Sequence, residues 1–598
     1  MSQELPPSTY NSFKNLVRAA WLAIETERPR FFLFVVLYVI AYSIDLLVPW
    51  SVGYIISVLV QKQLDPTTYA KILSGIGAYL GLKLLNTLFH HTGRYVQNTV
   101  TFTARMATLT RVFDAVLRFP LNWHVQKHSG ENLSRIQRST GAVEQTVGTY
   151  IWQIVEGLVK VVFASIALFA LDLWVATAVF SLGAITIAFM ILFNSKLVER
   201  IRKINWFNDK ISRVCVDYLV NIVTVKTLGL EKNASGYLNE NKVEGLKLSQ
   251  KISKYSELKW GSTGIGYAFV TSVSLFIYFT RQLYSGVTVE VGAVYVLLNY
   301  LDRIFQAIGS FTGYYGGLIE ASTSFEDATK ILNEAPTNIM TRENIQIDRT
   351  WSSLHIKELS FTYGDMPILR GLDVEIKNGE KIVLVGPSGG GKSTFLKILG
   401  GLLTPEKITA NTDKQESINI NELALTTILL PQEPEIFSET VWYNLTMGES
   451  YTEQEVQFYV NLCKADGVVA KLPQGLQSSL AEKGLNLSVG EKQRLAMARG
   501  LLRAPMRDII LLDEPTSSLD PKTEKEVTLN ILHYFKDKTV ITACHRLQLV
   551  PLFDRIIFIR FGVIEEVGTF EELIAKKGPF YYAWEDYEKR LSKVDGVE

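Results

Sequence analysis

Cysteine is scarce in this chain of 598 residues. There are three, Cys215, Cys463 and Cys544, far apart and in no metal-like spacing. That pattern argues against a disulfide framework and fits unpaired thiols facing a reducing compartment. Net charge is nearly absent too. The 61 Lys and Arg against 60 Asp and Glu leave +1, so no bulk field draws nucleic acid, and none is expected as a partner. No cleavable leader is evident, because residues 1–30 are polar and mixed in charge, without a small-residue cleavage pattern after the first apolar run. Internal repeats and low-complexity tracts are lacking as well.

What is plentiful is apolar residue, 47% of the chain, with most long runs before residue 320. A membrane span needs about 20 apolar residues to cross roughly 30 Å of hydrocarbon. Six stretches qualify: 31–60, 72–92, 147–170, 173–194, 261–284 and 287–318. The last has a polar middle, "NYLDRIFQAIGS". Residues 10–27 are amphipathic and too short and polar to span, a pattern that fits a helix lying on the membrane surface and equally an ordinary soluble helix. The connection 94–146 carries seven Lys and Arg and the connection 196–259 carries thirteen, while the opposite side holds Lys62, Lys71 and Arg281. Excess Lys and Arg marks the cytoplasmic side. Both long connections and both termini are therefore expected inside. The connections keep a helical pattern, as in 94–119, and break near 119–130 and 220–232. The expected organisation is a transmembrane domain over 1–335, a linker over 336–350 and a second domain over 351–598.

Charges within the spans include Asp45, Lys83, Glu156 and Lys160. Charges in hydrocarbon are expensive and face a cavity or a partner. Asp45, Lys83 and Glu156 are expected to line a transport cavity. Glu156 and Lys160 lie one helical turn apart and can instead pair with each other.

The second domain alternates short apolar strands with helical patterns, the signature of an α/β fold. "GPSGGGKST" follows the strand-like "KIVLV" and precedes the helical "STFLKILGGLL". It fits the phosphate-binding loop pattern, in which glycines let backbone N–H groups turn toward phosphate oxygens. Gly386, Pro387, Ser388, Gly389, Gly390, Gly391, Lys392, Ser393 and Thr394 form that loop. Lys392 is placed to reach the β- and γ-phosphates, and the Ser393 hydroxyl to bind Mg²⁺. "RDIILLDEP" is an apolar strand ending in two carboxylates. Asp513 suits Mg²⁺, and Glu514 suits the general base that takes a proton from water. Gln432, His545 and the aromatic Tyr363 each sit just after a predicted strand, where sites of α/β domains gather. Tyr363 is expected to stack on a nucleobase. "NLSVGEKQR" reads as a helix start capped by Ser488, whose free N–H groups and positive dipole end suit an anion.

Tyr363, "GPSGGGKST", "LLPQEPEIF", "NLSVGEKQR", "ILLDEPTSSLD" and "ACHR" occur in the order and spacing of an ATP-binding cassette. With six spans in front, the chain resembles a half-transporter of the exporter type, the type IV fold of ABC transporters. The resemblance implies an all-α six-helix transmembrane domain joined to an α/β P-loop NTPase cassette. It implies ATP and Mg²⁺ as cofactors, and as partner a second copy of this chain or a homologous half-transporter. It implies an integral membrane protein among lipid, in a bacterial-type inner membrane with the cassette inside. In that family two cassettes pair head to tail, so Ser488 and Gly490 would meet the γ-phosphate of the partner's ATP. Gln432 would sense the γ-phosphate and touch Mg²⁺, His545 would stabilise the transferred group, and Ser517 to Asp520 would cross to the partner. The loops near 119–130 and 220–232 would carry motion to the spans. One departure stands out. The family's usual LSGGQ reads "LSVGE" here, so Val489 replaces Gly and Glu491 replaces Gln. A carboxylate at Glu491 facing a polyphosphate is unfavourable. The expected function is ATP-driven export of an unknown substrate, a lipid, a peptide or an amphipathic compound. Alternatives are a siderophore-type importer of the same fold, one half of a heterodimer, or a membrane ATPase with a regulatory role.

Topology is directly testable. In a chain lacking Cys215, Cys463 and Cys544, a single cysteine at position 66 should react with an impermeant thiol reagent in intact cells. One at position 235 should stay unlabelled until the membrane is opened. Labelling of position 235 from outside would overturn the orientation.

Overall fold

The computed structural model describes residues 9–61, 65–126, 129–336, 350–481, 484 and 486–594. The chain divides into two compact units, Met1–Phe119 with Gln126–Pro336, and Pro120–Val125 with Thr337–Glu598. The expected linker 336–350 lies almost wholly outside the described residues.

The first unit is helical throughout. Helix α1 (Thr9–Ala23) covers most of the amphipathic stretch. It buries Leu16 and Ala20, packs chiefly on the last helix of the unit, and leaves Phe13, Val17 and Trp21 exposed. The expected span 31–60 is two helices, α2 (Arg28–Asp45) and α3 (Val48–Gln61). Pro49 is the cause: it has no N–H to offer the Asp45 carbonyl, so the α-helical ladder fails there. Helix α4 (Pro66–Leu117) starts at the Asp65 side chain, which accepts from the Thr68 N–H at 2.6 Å. Its 52 residues rise roughly 78 Å at about 1.5 Å each, far more than a bilayer needs. The long connections are thus helix continuations, as their pattern predicts.

After α5 (Leu121–Gln126) come α6 (Ser129–Gln145), a π turn (Thr146–Tyr150) and α7 (Ile151–Leu171). Then follow α8 (Leu173–Val220), the short α9 (Ile222–Thr227), α10 (Glu231–Ser285) and α11 (Val291–Glu334). Among the described residues, four helical stretches are long and apolar enough to cross a membrane: Glu25–Val60, Pro66–Leu117, Asn132–Leu171 and Glu231–Ser285. Leu173–Phe189 is a shorter apolar helix.

Several polar side chains of the helical unit meet places where the helical ladder is interrupted. At the Pro49 break the Trp50 N–H turns to Leu47, and the freed Leu46 carbonyl accepts from the buried Tyr300 hydroxyl at 2.6 Å. One turn on, Arg303 reaches Asp45 at 2.5 Å, and Lys83 meets the other Asp45 oxygen at 2.9 Å. The polar middle of the last span is therefore the partner of the first span's kink. At the π turn, Gln97 plays the same role. It accepts from Tyr38 at 2.6 Å and donates to the Val147 carbonyl at 3.2 Å. Glu156 and Lys160 pair within one helix at 2.7 Å. Asp45, Lys83 and Glu156, expected to line a cavity, are thus all engaged in ion pairs. α3 and α11 touch backbone to backbone: a Cβ on Gly292 would lie 2.1 Å from the Gly53 carbonyl oxygen. Any larger residue there forces the helices apart.

The second unit holds a six-stranded sheet ordered β5-β6-β7-β3-β8-β9 and a smaller sheet ordered β2-β1-β4. The strands are β1 (Ser353–Tyr363), β2 (Met366–Lys377), β3 (Lys381–Val385), β4 (Lys407–Thr412), β5 (Thr427–Leu430), β6 (Ile509–Asp513), β7 (Thr539–Ala543), β8 (Arg555–Arg560) and β9 (Val563–Gly568). All five residues of β3, β6 and β7 are buried, as parallel strands covered on both faces require. β5, β6, β7, β3 and β8 run parallel and β9 returns antiparallel. Their carboxyl ends share one edge of the sheet, and the loops that leave it carry the motifs.

Tyr300→Phe removes the donor from a buried carbonyl and should cost about 1–3 kcal/mol of stability. It should lower the unfolding temperature of the purified protein and leave nucleotide affinity unchanged. Wild-type thermal stability in that variant would contradict the role given to Tyr300.

Candidate nucleotide site

Helix α12 (Lys392–Leu399) begins directly after the glycine-rich loop. The loop needs its glycines. A Cβ on Gly386 would meet the Ile559 carbonyl oxygen at 1.9 Å, and Gly391 holds φ +107° beside Leu369. The backbone therefore curls tightly around the space ahead of α12. The Lys392 ammonium turns back to the carbonyls of Gly386 (2.8 Å) and Pro387 (3.0 Å). Burial lowers its pKa, against the opposing pull of Glu514 and Asp513.

Four strand ends meet in front of this loop. The Ser393 hydroxyl donates to Asp513 Oδ1 at 2.8 Å. Glu514, one residue on, stands at φ +46°, a left-handed conformation uncommon for a residue with a Cβ. That turn aims its carboxylate the other way, at Gln432 Nε2 (3.0 Å) and His545 Nε2 (2.7 Å). Gln432 follows β5 and His545 follows β7. Burial raises the Glu514 pKa, with His545 and Lys392 opposing and Asp513 adding to the rise. A cleft of about 340 Å³ is lined by Ile368, Ser388 to Thr394, Gln432, Glu514 and His545. Tyr363 stands half exposed at the end of β1, edge-on to Phe361, with its side chain hydrogen-bonded to Thr394 of the loop. Ser393 and Asp513 present hard oxygen donors of the kind Mg²⁺ takes together with phosphate oxygens.

The second motif stands apart from this cleft. Ser488 caps α17 (Val489–Leu501). Its hydroxyl accepts from the Glu491 N–H at 3.3 Å, while Glu491 Oε2 accepts from the Ser488 N–H and hydroxyl, both at 2.9 Å. This is a reciprocal capping box. Glu491, placed near a polyphosphate by the sequence reading, therefore folds back onto its own helix start. The Ser488 amide, then its hydroxyl and Lys471, holds the Glu491 carboxyl below its ordinary pKa.

Three residues outside the motif assignments tie these parts together. Gln493, buried on α17, donates to the Ser517 hydroxyl at 3.1 Å and accepts from the Ser518 N–H at 3.0 Å. From the other side, Arg546 donates to the carbonyls of Ser517 (3.1 Å) and Leu519 (3.0 Å). Glu524, buried on α18 (Pro521–Tyr534), anchors Arg546 at 2.7 Å and accepts from Thr516 at 3.0 Å. The loop Ser517–Leu519 is thus held between the signature helix and the strand end that carries His545. Arg546 directly follows His545 in "ACHR" and Gln493 lies within "NLSVGEKQR", both given no role by the motifs; Glu524 has no local signal beyond its helical pattern.

Two family models match the chain. Residues 31–308 match the ABC transporter transmembrane region and residues 369–517 match the ABC transporter model. Heavy metal tolerance factor 1 of Caenorhabditis elegans is 27% identical over 533 residues, 87% of this chain and 64% of that protein. ATP-binding cassette sub-family B member 6 of Rattus norvegicus is 25% identical over 571 residues, 91% of this chain and 65% of that one. The mitochondrial iron-sulfur clusters transporter ATM1 of Yarrowia lipolytica is 26% identical over 508 residues, 82% of this chain and 69% of that one. The chain thus spans about two thirds of the length of these relatives. A solved bacterial Atm1-family ABC exporter with ATP bound shares the fold, with a TM-score of 0.79 at 21% identity over 94% of this chain and 98% of that one. With a transmembrane region and a cassette matched in order on one polypeptide, the chain belongs to the ABC transporters as a half-transporter of exporter-type fold.

Proposed function

We propose that the chain is an ATP hydrolase coupled to export, working as a dimer of two copies. The observation that carries this reading is the meeting of four strand ends in one cleft. The phosphate loop, the Ser393–Asp513 contact and the Gln432–Glu514–His545 cluster lie together, which supports their acting on one polyphosphate. In this reading Lys392 leaves the carbonyls of Gly386 and Pro387 and turns to the β- and γ-phosphates. Ser393 and Asp513, with Gln432, would hold Mg²⁺, which neutralises phosphate charge when bound. Glu514 accepts the proton of the attacking water. Each of its oxygens takes one donor, from Gln432 and from His545, and each keeps a lone pair that can accept from water.

Ser488 and Gly490 of the second copy complete the site from the opposite side. Nucleotide is then held fully only in the closed pair, so binding favours closure and hydrolysis releases it. The helices at 121–126 and 222–227 carry the change to the spans. The relatives' names concern heavy metals and iron–sulfur clusters. We therefore take the cargo to be a metal-linked compound, in place of the lipid or peptide expected from the layout alone. The cassette lies on the side of the membrane that supplies ATP.

Glu514→Gln should keep ATP binding and reduce turnover at least about a hundredfold, the lower end of the range for losing a general base. Hydrolysis near the wild-type rate would refute the assignment. Lys392→Ala should weaken nucleotide binding itself. Only ionised Glu514 accepts a proton, and burial raises its pKa. The acid limb of turnover should therefore begin above the ordinary glutamate value of 4.5; a limb at or below it would contradict the buried-base reading. For cargo, vesicles with the cassette outward should accumulate a metal–thiol conjugate only with hydrolysable ATP. ATP-dependent uptake of lipid and peptide probes alone would overturn the metal-linked reading.

A further inference from the structure

We propose that Glu491 is a latch on the signature end of α17, and that it raises the ATP concentration needed to close the cassette pair. The inference rests on the composite site described above. Ser488 has one hydroxyl proton, and that proton is given to Glu491 Oε2 at 2.9 Å. The same carboxylate oxygen takes the Ser488 N–H at 2.9 Å. In the composite site the Ser488 hydroxyl donates to the partner's nucleotide, and it cannot serve both acceptors at once. The two acceptors are also both anions. Closure expels water from between them, which strengthens their repulsion.

The cap itself does not need the charge. Gln at the third helical position reaches back to the cap residue as Glu does. An amide at position 491 would keep both halves of the box and remove the negative charge from beside Ser488. Lys471, at the end of α16 (Asp466–Lys471), lies 3.6 Å from the other Glu491 oxygen and offsets part of that charge. The latch strength is therefore set by Glu491 and tempered by Lys471.

The test uses the full chain carrying Glu514→Gln, in lipid nanodiscs, with the closed ATP-bound state scored by nucleotide retained after gel filtration. Adding Glu491→Gln should lower the half-saturating ATP about three- to tenfold, the effect of removing a like charge a few ångströms from phosphate in a partly wet site. The thermal midpoint without nucleotide should not change, because the cap survives. Lys471→Met should raise half-saturation when Glu491 is present and have no effect on top of Glu491→Gln. An unchanged or higher half-saturating ATP in Glu491→Gln overturns the latch. Ser488→Arg in the same assay separates the two readings. If it abolishes retention while Glu491→Gln changes nothing, only the latch fails. If Ser488→Arg retains ATP as its parent does, the composite site fails, and the latch with it.

Discussion

Glu514 accepts from Gln432 and His545 at the same time, and the working parts of the cassette converge on that carboxylate. Through it the loops after β5, β6 and β7 are joined, while the Ser393–Asp513 contact joins the loop after β3 to the same strand end. Adjacent parallel strands bring these residues within hydrogen-bond reach, and the left-handed turn at Glu514 points neighbouring carboxylates in opposite directions. Asp513 is left to the phosphate loop and Glu514 to the water side. Any ligand that claims one of these donors disturbs the others. The Gln493 and Arg546 contacts extend that linkage to Ser517–Leu519, the segment expected to cross to the second copy.

The helical unit follows a parallel rule: freed backbone carbonyls are met by side chains from other helices. Pro49 and the π turn each free backbone oxygens. Tyr300 and Gln97 answer them from distant helices, and Arg303 with Lys83 neutralises Asp45 beside the first. Polar residues at these points thus hold interruptions in place.

The cassette was the more legible half. Its motifs are contiguous, and each depends on a local need: glycines for a tight loop, apolar residues for a buried strand, an acid pair at its end. The helical continuation beyond the spans was readable from the pattern of 94–119. The kink at Asp45–Pro49 was harder to see, because an apolar run long enough for a span masks a proline within it. The polar middle of α11 looked anomalous for the same reason, since its partner lies some 250 residues away in sequence. Gln493 and Glu524 could not be singled out, because their roles exist only when helix and loop are folded together. Glu491 was visible as a departure, but its direction was not. The spacing of Ser488 and Glu491 is that of a capping box, and the local cap takes the carboxylate back to its own helix.

The account turns on a site shared between two copies, each giving one face. Mixed dimers test it most directly. A chain with Lys392→Ala and a chain with Ser488→Arg should each be inactive alone. Co-expressed, they form pairs in which one site carries both defects and the other carries none. The account predicts that ATP hydrolysis returns in the mixed preparation and in neither parent. If the two variants remain as inactive together as apart, the nucleotide site is not shared in this way.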